Sequence, residues 1–228
     1  MIAQKLQSVR ERIARACTGA QRDVTEVTLL AVSKTFGPEA VREAYEAGQR
    51  AFGENYIQEA VEKMELLRDL PVEWHCIGPI QSNKTRLVAA NFAWAQSVDR
   101  LKIAQRLSDQ RDESQPPLNV CIQVNIDGGP TKSGVAPGEV LTLAREIAKL
   151  PRLRLRGLMT IPEPVEDFEA QRAVHTKARE LFDELRAAGL QLDTLSMGMT
   201  ADTESAIAAG STMVRVGTAV FGGRPQGR

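Results

Sequence analysis

The residues with the most chemical potential in this sequence sit at the ends of short apolar runs. Lys34 closes "LLAVS", so a strongly hydrated cation, or a free amine, follows directly on residues of the kind that build a buried strand. Asn55 follows "AFGE", His75 sits in "EWHCIG", Asn125 closes "CIQVN" and Thr160 closes "GLMT". Toward the C-terminus, "LSMGMTADTESAIAAG" passes from a strand through Ser196, Gly198 and Thr200 into a helix. Backbone N–H groups and hydroxyls gather there at a positive helix end, where an anion is stabilised. "MVRVGTAVFGG" then supplies Gly217 and Thr218 just beyond another strand, followed by Gly222 and Gly223. Its period of two puts Met213, Arg215 and Gly217 on one face and Val214 and Val216 on the other. An arginine between two valines in a central strand is costly unless paired, so Arg215 is expected to face a polar ligand or an acidic partner.

The elements that must position these groups alternate in type. Eight short apolar runs, at 27–33, 50–54, 73–78, 92–97, 118–125, 153–161, 192–197 and 212–217, are separated by helical patterns such as "PEAVREAYEAG", "VDRLKIAQRLSDQR", "PGEVLTLAREIAKL", "DFEAQRAVHTKARELFDELRAAG" and "ADTESAIAAG". Several open on Pro or an acidic residue and close on Gly48, Gly189 or Gly210. Strict alternation implies parallel pairing with crossover helices. Eight units in about 200 residues is the arithmetic of a compact α/β fold, a (β/α)₈ TIM-like barrel, although a doubly wound open sheet shares the local signals. "MIAQKLQSVRERIARAC" adds an N-terminal amphipathic helix with Ile2, Leu6, Val9, Ile13 and Ala16 on one stripe. No Pro-, Gly- or Ser-rich linker divides the chain, so residues 1–228 read as one domain. In a barrel, ligands bind at the C-terminal ends of strands, and the loops after strands seven and eight often form a phosphate site. A strand-end amine able to form a Schiff base, a phosphate cup and an inward cation are the three things pyridoxal 5′-phosphate (PLP) needs. For His75 the ordinary reading is a hydrogen-bonded core residue, and His175, inside a long amphipathic helix, reads as a surface residue.

Composition removes other classes. Lys plus Arg and Asp plus Glu number 29 each, so no field of one sign exists to hold nucleic acid or an anionic membrane. Nothing resembles an export signal or a membrane-inserting segment. Cys17, Cys76 and Cys121 are an odd number without paired short spacing, which argues against a disulfide framework or a zinc site and for buried spectator thiols in a reducing, cytoplasmic setting.

The stretches "LLAVSKTFGPEAVREAYEAGQRAFGENYIQEA", "WHCIGPIQSNK", "GLMTIP" and "LSMGMTADTESAIAAGSTMVRVGTAVFG" resemble the pyridoxal phosphate homeostasis proteins, a family related to the N-terminal barrel of alanine racemase. The resemblance covers nearly the whole chain. It implies that Lys34 binds PLP covalently, that Asn55 neighbours the ring oxygen, that Ser196, Gly217 and Thr218 lie on the phosphate beside Gly198, and that Arg215 stands opposite the pyridine nitrogen. Lys132 in "TKSG" matches a family lysine of less defined role, and Cys76 stands where a larger apolar residue such as Phe or Met is expected. Arginine at the pyridine nitrogen disfavours its protonation and makes the ring a poorer electron sink. The racemases that share this arrangement use a second domain carrying a tyrosine base. Here the chain ends at Arg228, and its two tyrosines are Tyr45 and Tyr56, of which Tyr56 lies beside Asn55. The expectation is therefore a non-catalytic carrier and buffer of PLP, and the resemblance alone implies that it is a monomer with PLP-dependent apoenzymes as its recipients. A minimal single-domain racemase is the enzymatic alternative, and a class I aldolase using Lys34 is a third reading.

Overall fold

A computed structural model describes residues 1–129 and 133–223. Among them, eight parallel strands close into a barrel in chain order: β1 (Thr28–Val32), β2 (Ala51–Glu54), β3 (Glu73–Cys76), β4 (Trp94–Val98), β5 (Leu118–Val124), β6 (Leu153–Thr160), β7 (Thr194–Ser196) and β8 (Met213–Val216). Closure rests on the pairing of β1 with β8, in which Leu30 lies opposite Arg215, and this excludes the open-sheet alternative. Helices connect the strands: α2 (Pro38–Glu46), α3 (Ile57–Glu65), α4 (Thr85–Asn91), α5 (Leu101–Gln110), α6 (Val140–Ala148), α7 (Phe168–Ala187) and α8 (Thr203–Ala209), with the short α9 (Thr218–Phe221) after the last strand. The N-terminal helix α1 (Ile2–Gly19) buries Leu6, Val9, Ile13 and Cys17 and packs beside α8 and α9. Arg12 on its outer side donates to Glu204 Oε1 at 2.6 Å and to the Thr200 carbonyl at 2.6 Å, fixing α1 to the loop after β7. Among the described residues no helix is long and apolar enough to cross a membrane.

Two apolar layers follow from the period of two along each strand. Ala31, Phe52, Val120, Leu158, Leu195 and Val214 point outward into one large core shared with the helix stripes. On the inner face Leu30, Val32, Ala51, Ile77 and Met213 form one cluster and Trp94, Cys121 and Met159 another. Polar side chains share this interior, His75, Gln96, Ser196 and Arg215 all being buried. The His75 ring stacks on Trp94 with centroids 4.8 Å apart. Its Nδ1 lies 2.8 Å from the Gln96 amide nitrogen and its Nε2 lies 2.7 Å from Glu73 Oε1. An amide nitrogen only donates and a carboxylate only accepts, so the neutral ring carries its proton on Nε2. His75 is the core histidine expected from the sequence. The three thiols are buried, and burial pushes Cys76 and Cys121 up to about 12, so at neutral pH they are inert fillers.

Burial holds the His75 pKa below the ordinary histidine value despite the opposing pull of Glu73. A group depressed in the folded state contributes its stability in full above its unfolded pKa, roughly 6.5, and loses it as the pH falls further. Chemical denaturation should therefore show stability dropping as pH falls below about 6.5, with a shallower slope in His75→Gln. An unchanged slope in the variant would contradict the neutral, buried assignment.

Candidate functional site

A cavity of about 360 Å³ opens at the C-terminal ends of the strands. Val32, Lys34 and Phe36 form one side, Pro162, Pro164 and Val165 of the loop after β6 another, and Val174 and His175 of α7 a third. Gly198, Met199, Thr200 and Asp202 after β7, with Arg215, Gly217 and Thr218 of β8 and beyond, complete the lining. A broader groove of about 1080 Å³ lies at the opposite end, along the starts of β6 and β7, where Arg154, Arg186 and Asp193 line an open surface. Barrel chemistry belongs to the strand C-termini, so the smaller cavity is the candidate site.

Lys34 continues the inward series Leu30, Val32, Lys34. It then occupies the second position of a turn closed by the Phe36 N–H donating to the Ser33 carbonyl at 3.1 Å. Thr35, at the third position, has φ 69, a left-handed conformation that favours glycine and costs a β-branched residue on the order of 1–3 kcal/mol. The turn is held from α3. Lys63, nearly fully buried, donates to the Ser33 carbonyl at 3.0 Å and to the buried Glu54 carboxylate. Glu59 Oε1 accepts the Thr35 N–H at 2.8 Å, and Lys63 lies 3.6 Å from that same oxygen. Burial raises the Glu54 pKa to about 7 against the attraction of Lys63. Phe36 stacks on Phe221 of α9 with centroids 5.3 Å apart, tying the turn to the far side of the barrel seam.

Arg215 faces the barrel mouth, as its alternation with the two valines requires. Its Nη1 donates to Ser196 Oγ at 2.7 Å and its Nη2 to the Thr160 carbonyl at 2.7 Å, so both ends of the guanidinium are fixed. Burial lowers its pKa to about 10 while Asp202 opposes the shift, and it remains a cation at neutral pH. Ser196 is fully buried behind this arginine and does not line the cavity. Having accepted from Arg215, its hydroxyl still holds a proton to donate. Gly198 has φ +99, and a Cβ there would lie 2.5 Å from the Ala206 Cβ, so only glycine lets β7 turn into α8 this tightly. Gly217 caps α9, and its carbonyl accepts the Val220 and Phe221 N–H groups at 3.0 and 2.9 Å, so the Thr218 and Ala219 amides are the ones that a four-residue helix leaves without an acceptor of its own.

Asn55 follows β2 on the inward side, with Oδ1 buried and without a partner among the described residues. It does not line the cavity. A Cβ on Gly78 would fall 2.2 Å from the Asn55 carbonyl oxygen, so glycine is what lets the loop after β3 pass this close. Tyr56 is exposed and Asn125 donates to the Gly129 carbonyl at 2.8 Å. Neither lines the cavity. Lys132 lies outside the described residues.

His175 differs from its sequence reading. It is buried on α7, lines the cavity and bonds through Nε2 to Asp202 Oδ2 at 2.7 Å. Although burial raises the Asp202 pKa, the bonds from His175 and the Met199 amide hold the carboxyl below its ordinary range. The polar neighbours of His175 in "RAVHTKARE" concealed that the inner face of α7 meets the turn before α8. The tethers from α3 went unread for a related reason: Glu59 and Lys63, four residues apart, look like an ordinary surface pair.

The donor set fits an anionic, planar aldehyde cofactor. An amine at the mouth, hydroxyl and amide donors at Thr218 and a fixed guanidinium open on one cavity, and the orphaned Asn55 Oδ1 lies buried at a neighbouring strand end. The pyridoxal phosphate homeostasis protein of Pseudomonas aeruginosa is 57% identical over 226 residues, covering 99% of this chain and 97% of its own. The structure of PipY from Synechococcus elongatus with PLP bound matches with a TM-score of 0.85 at 38% identity, covering 97% of this chain and 100% of that one. An alanine racemase of Clostridium difficile shares the fold at 16% identity and a TM-score of 0.76, with 95% of this chain and 57% of the racemase covered. The family model for the alanine racemase N-terminal domain matches residues 5–225, and the chain belongs to that family.

Proposed function

We propose that this protein binds PLP, covalently through Lys34, and holds it in reserve for PLP-dependent apoenzymes as part of vitamin B6 homeostasis, without turning over amino acids. The observation that carries the reading is the convergence of Lys34, Arg215, Gly217 and Thr218 on one cavity. The name of the Pseudomonas aeruginosa relative and the bound PLP of PipY support it. Bound there, PLP would supply a reactive aldehyde conjugated to a pyridine ring.

The chain's own residues divide the work of holding it. The Lys34 amine would take the aldehyde carbon. The Thr218 hydroxyl and the amides opening α9 would receive the phosphate, with the backbone of Gly198 in the same lining and the Ser196 hydroxyl, held by Arg215, as a further donor. Asn55, whose buried Oδ1 has no partner among the described residues, would serve the ring oxygen. Arg215, locked by Ser196 and Thr160, would set a permanent cation toward the ring nitrogen and disfavour its protonation, which would make the ring a weaker electron sink. A site built this way favours retention over carbanion chemistry. The same reading makes the protein a cytoplasmic monomer, a setting that suits its buried free thiols.

A hydrogen bond to a charged phosphate is worth roughly 1.5–3 kcal/mol, so Thr218→Ala should weaken PLP about ten- to a hundredfold in equilibrium dialysis. Pyridoxal, which lacks the phosphate, should be held equally by both proteins. Equal losses for the two ligands would move the phosphate elsewhere.

Racemisation needs a base on each face of the α-carbon, and acid–base help is typically worth about 10²–10⁴-fold in rate. PLP-loaded protein incubated with L-alanine in deuterated water should show no inversion by optical rotation, with at most slow α-proton exchange. Inversion at ordinary enzymatic rates, lost in Tyr56→Phe, would make the protein a minimal racemase instead.

A further inference from the structure

We infer that Glu59 and Lys63 of α3 are positioning residues for Lys34, gripping the peptide groups on either side of it so that its amine is presented to the cavity. The inference rests on reading Lys34 as the cofactor lysine. Lys63 holds the carbonyl of Ser33, one residue before Lys34, at 3.0 Å, and Glu59 holds the N–H of Thr35, one residue after it, at 2.8 Å. The two grips come from successive turns of a single helix, so they move together. Lys63 is itself fixed by the buried Glu54 at the end of β2, so α3 is anchored to the barrel wall next to β1.

What this grip opposes is visible in the backbone. Thr35 is a β-branched residue at φ 69, where the chain would relax toward negative φ if its N–H were released. Relaxation would swing the preceding peptide, and with it the direction in which Lys34 leaves the turn. The remaining turn bond, Phe36 N–H to the Ser33 carbonyl, shares its acceptor with Lys63, so the Lys63 ammonium also polarises the carbonyl that closes the turn. A buried ammonium and carboxylate are a poor route to stability, since well-packed apolar residues commonly do as well. Their placement on the carbonyl preceding Lys34 is what gives the pair a use.

Glu59 is the better residue to change, because its side chain is 38% exposed and its loss leaves no buried charge unpaired. Glu59→Ala removes the acceptor for the Thr35 N–H, whereas Glu59→Gln keeps an oxygen in its place. Two readouts are needed: PLP affinity from the visible absorbance, and the rate at which acetic anhydride labels Lys34 in cofactor-free protein across pH, read by peptide mass spectrometry. Expected is a loss of about tenfold in PLP affinity and an altered Lys34 labelling profile in Glu59→Ala, both restored in Glu59→Gln, with thermal midpoints of all three proteins within a few degrees. Lys63→Met combined with Glu54→Gln should produce the same change in labelling. Wild-type labelling and affinity in Glu59→Ala would overturn the inference. The labelling arm needs no cofactor, so it judges the grip even if wild-type protein takes up no PLP, an outcome that would count against the cofactor reading alone.

Discussion

The site is organised around a guanidinium that cannot turn. Arg215 joins three strands, donating from β8 to the Ser196 hydroxyl at the end of β7 and to the Thr160 carbonyl at the end of β6, while its own N–H donates to Gly198 at 2.9 Å. A buried cation left without partners would be strongly destabilising, so these bonds set the registers at which the strands can end. Because the barrel closes, β1 lies beside β8 with Leu30 opposite Arg215, and Lys34 emerges next to the cation rather than across a sheet from it. Remove the guanidinium, and the ends of β6, β7 and β8 lose the side chain that joins all three, although their backbone pairing remains.

Two kinds of rigidity meet at the cavity. On the β6–β8 side it comes from hydrogen bonds inside the barrel, supplemented from outside by Arg12, which pins the Thr200 carbonyl to α1. On the β1–β2 side it comes from an ionic network in the layer between sheet and helices, where Glu54, Lys63 and Glu59 hold a strained turn from behind. The stacked rings of Phe36 and Phe221 bridge the two sides. A mouth whose walls are fixed independently of any ligand is preorganised for binding.

Most of the fold was legible because its signals are local. Alternation of short apolar runs with capped helices is written along the chain, and the period of two told which way Arg215 would face. The strand-end rule then placed Lys34, Gly198, Gly217 and Thr218 around one opening without knowledge of any contact. What stayed hidden depends on contacts distant in sequence. That His175 meets Asp202, 27 residues away, and that Lys63 reaches Ser33, 30 residues away, are facts of tertiary packing. In the sequence a histidine among polar neighbours and a Glu–Lys pair four apart look like solvent-facing helix. The strain at Thr35 was equally invisible, since threonine carries no sign of a left-handed turn in the way glycine would.

The most direct test is to locate the cofactor chemically. Protein saturated with PLP, reduced with borohydride, digested and sequenced by mass spectrometry should carry the pyridoxyl group on the peptide containing Lys34. A pyridoxyl group fixed on another lysine, with Lys34 unmodified, would contradict the account at its centre.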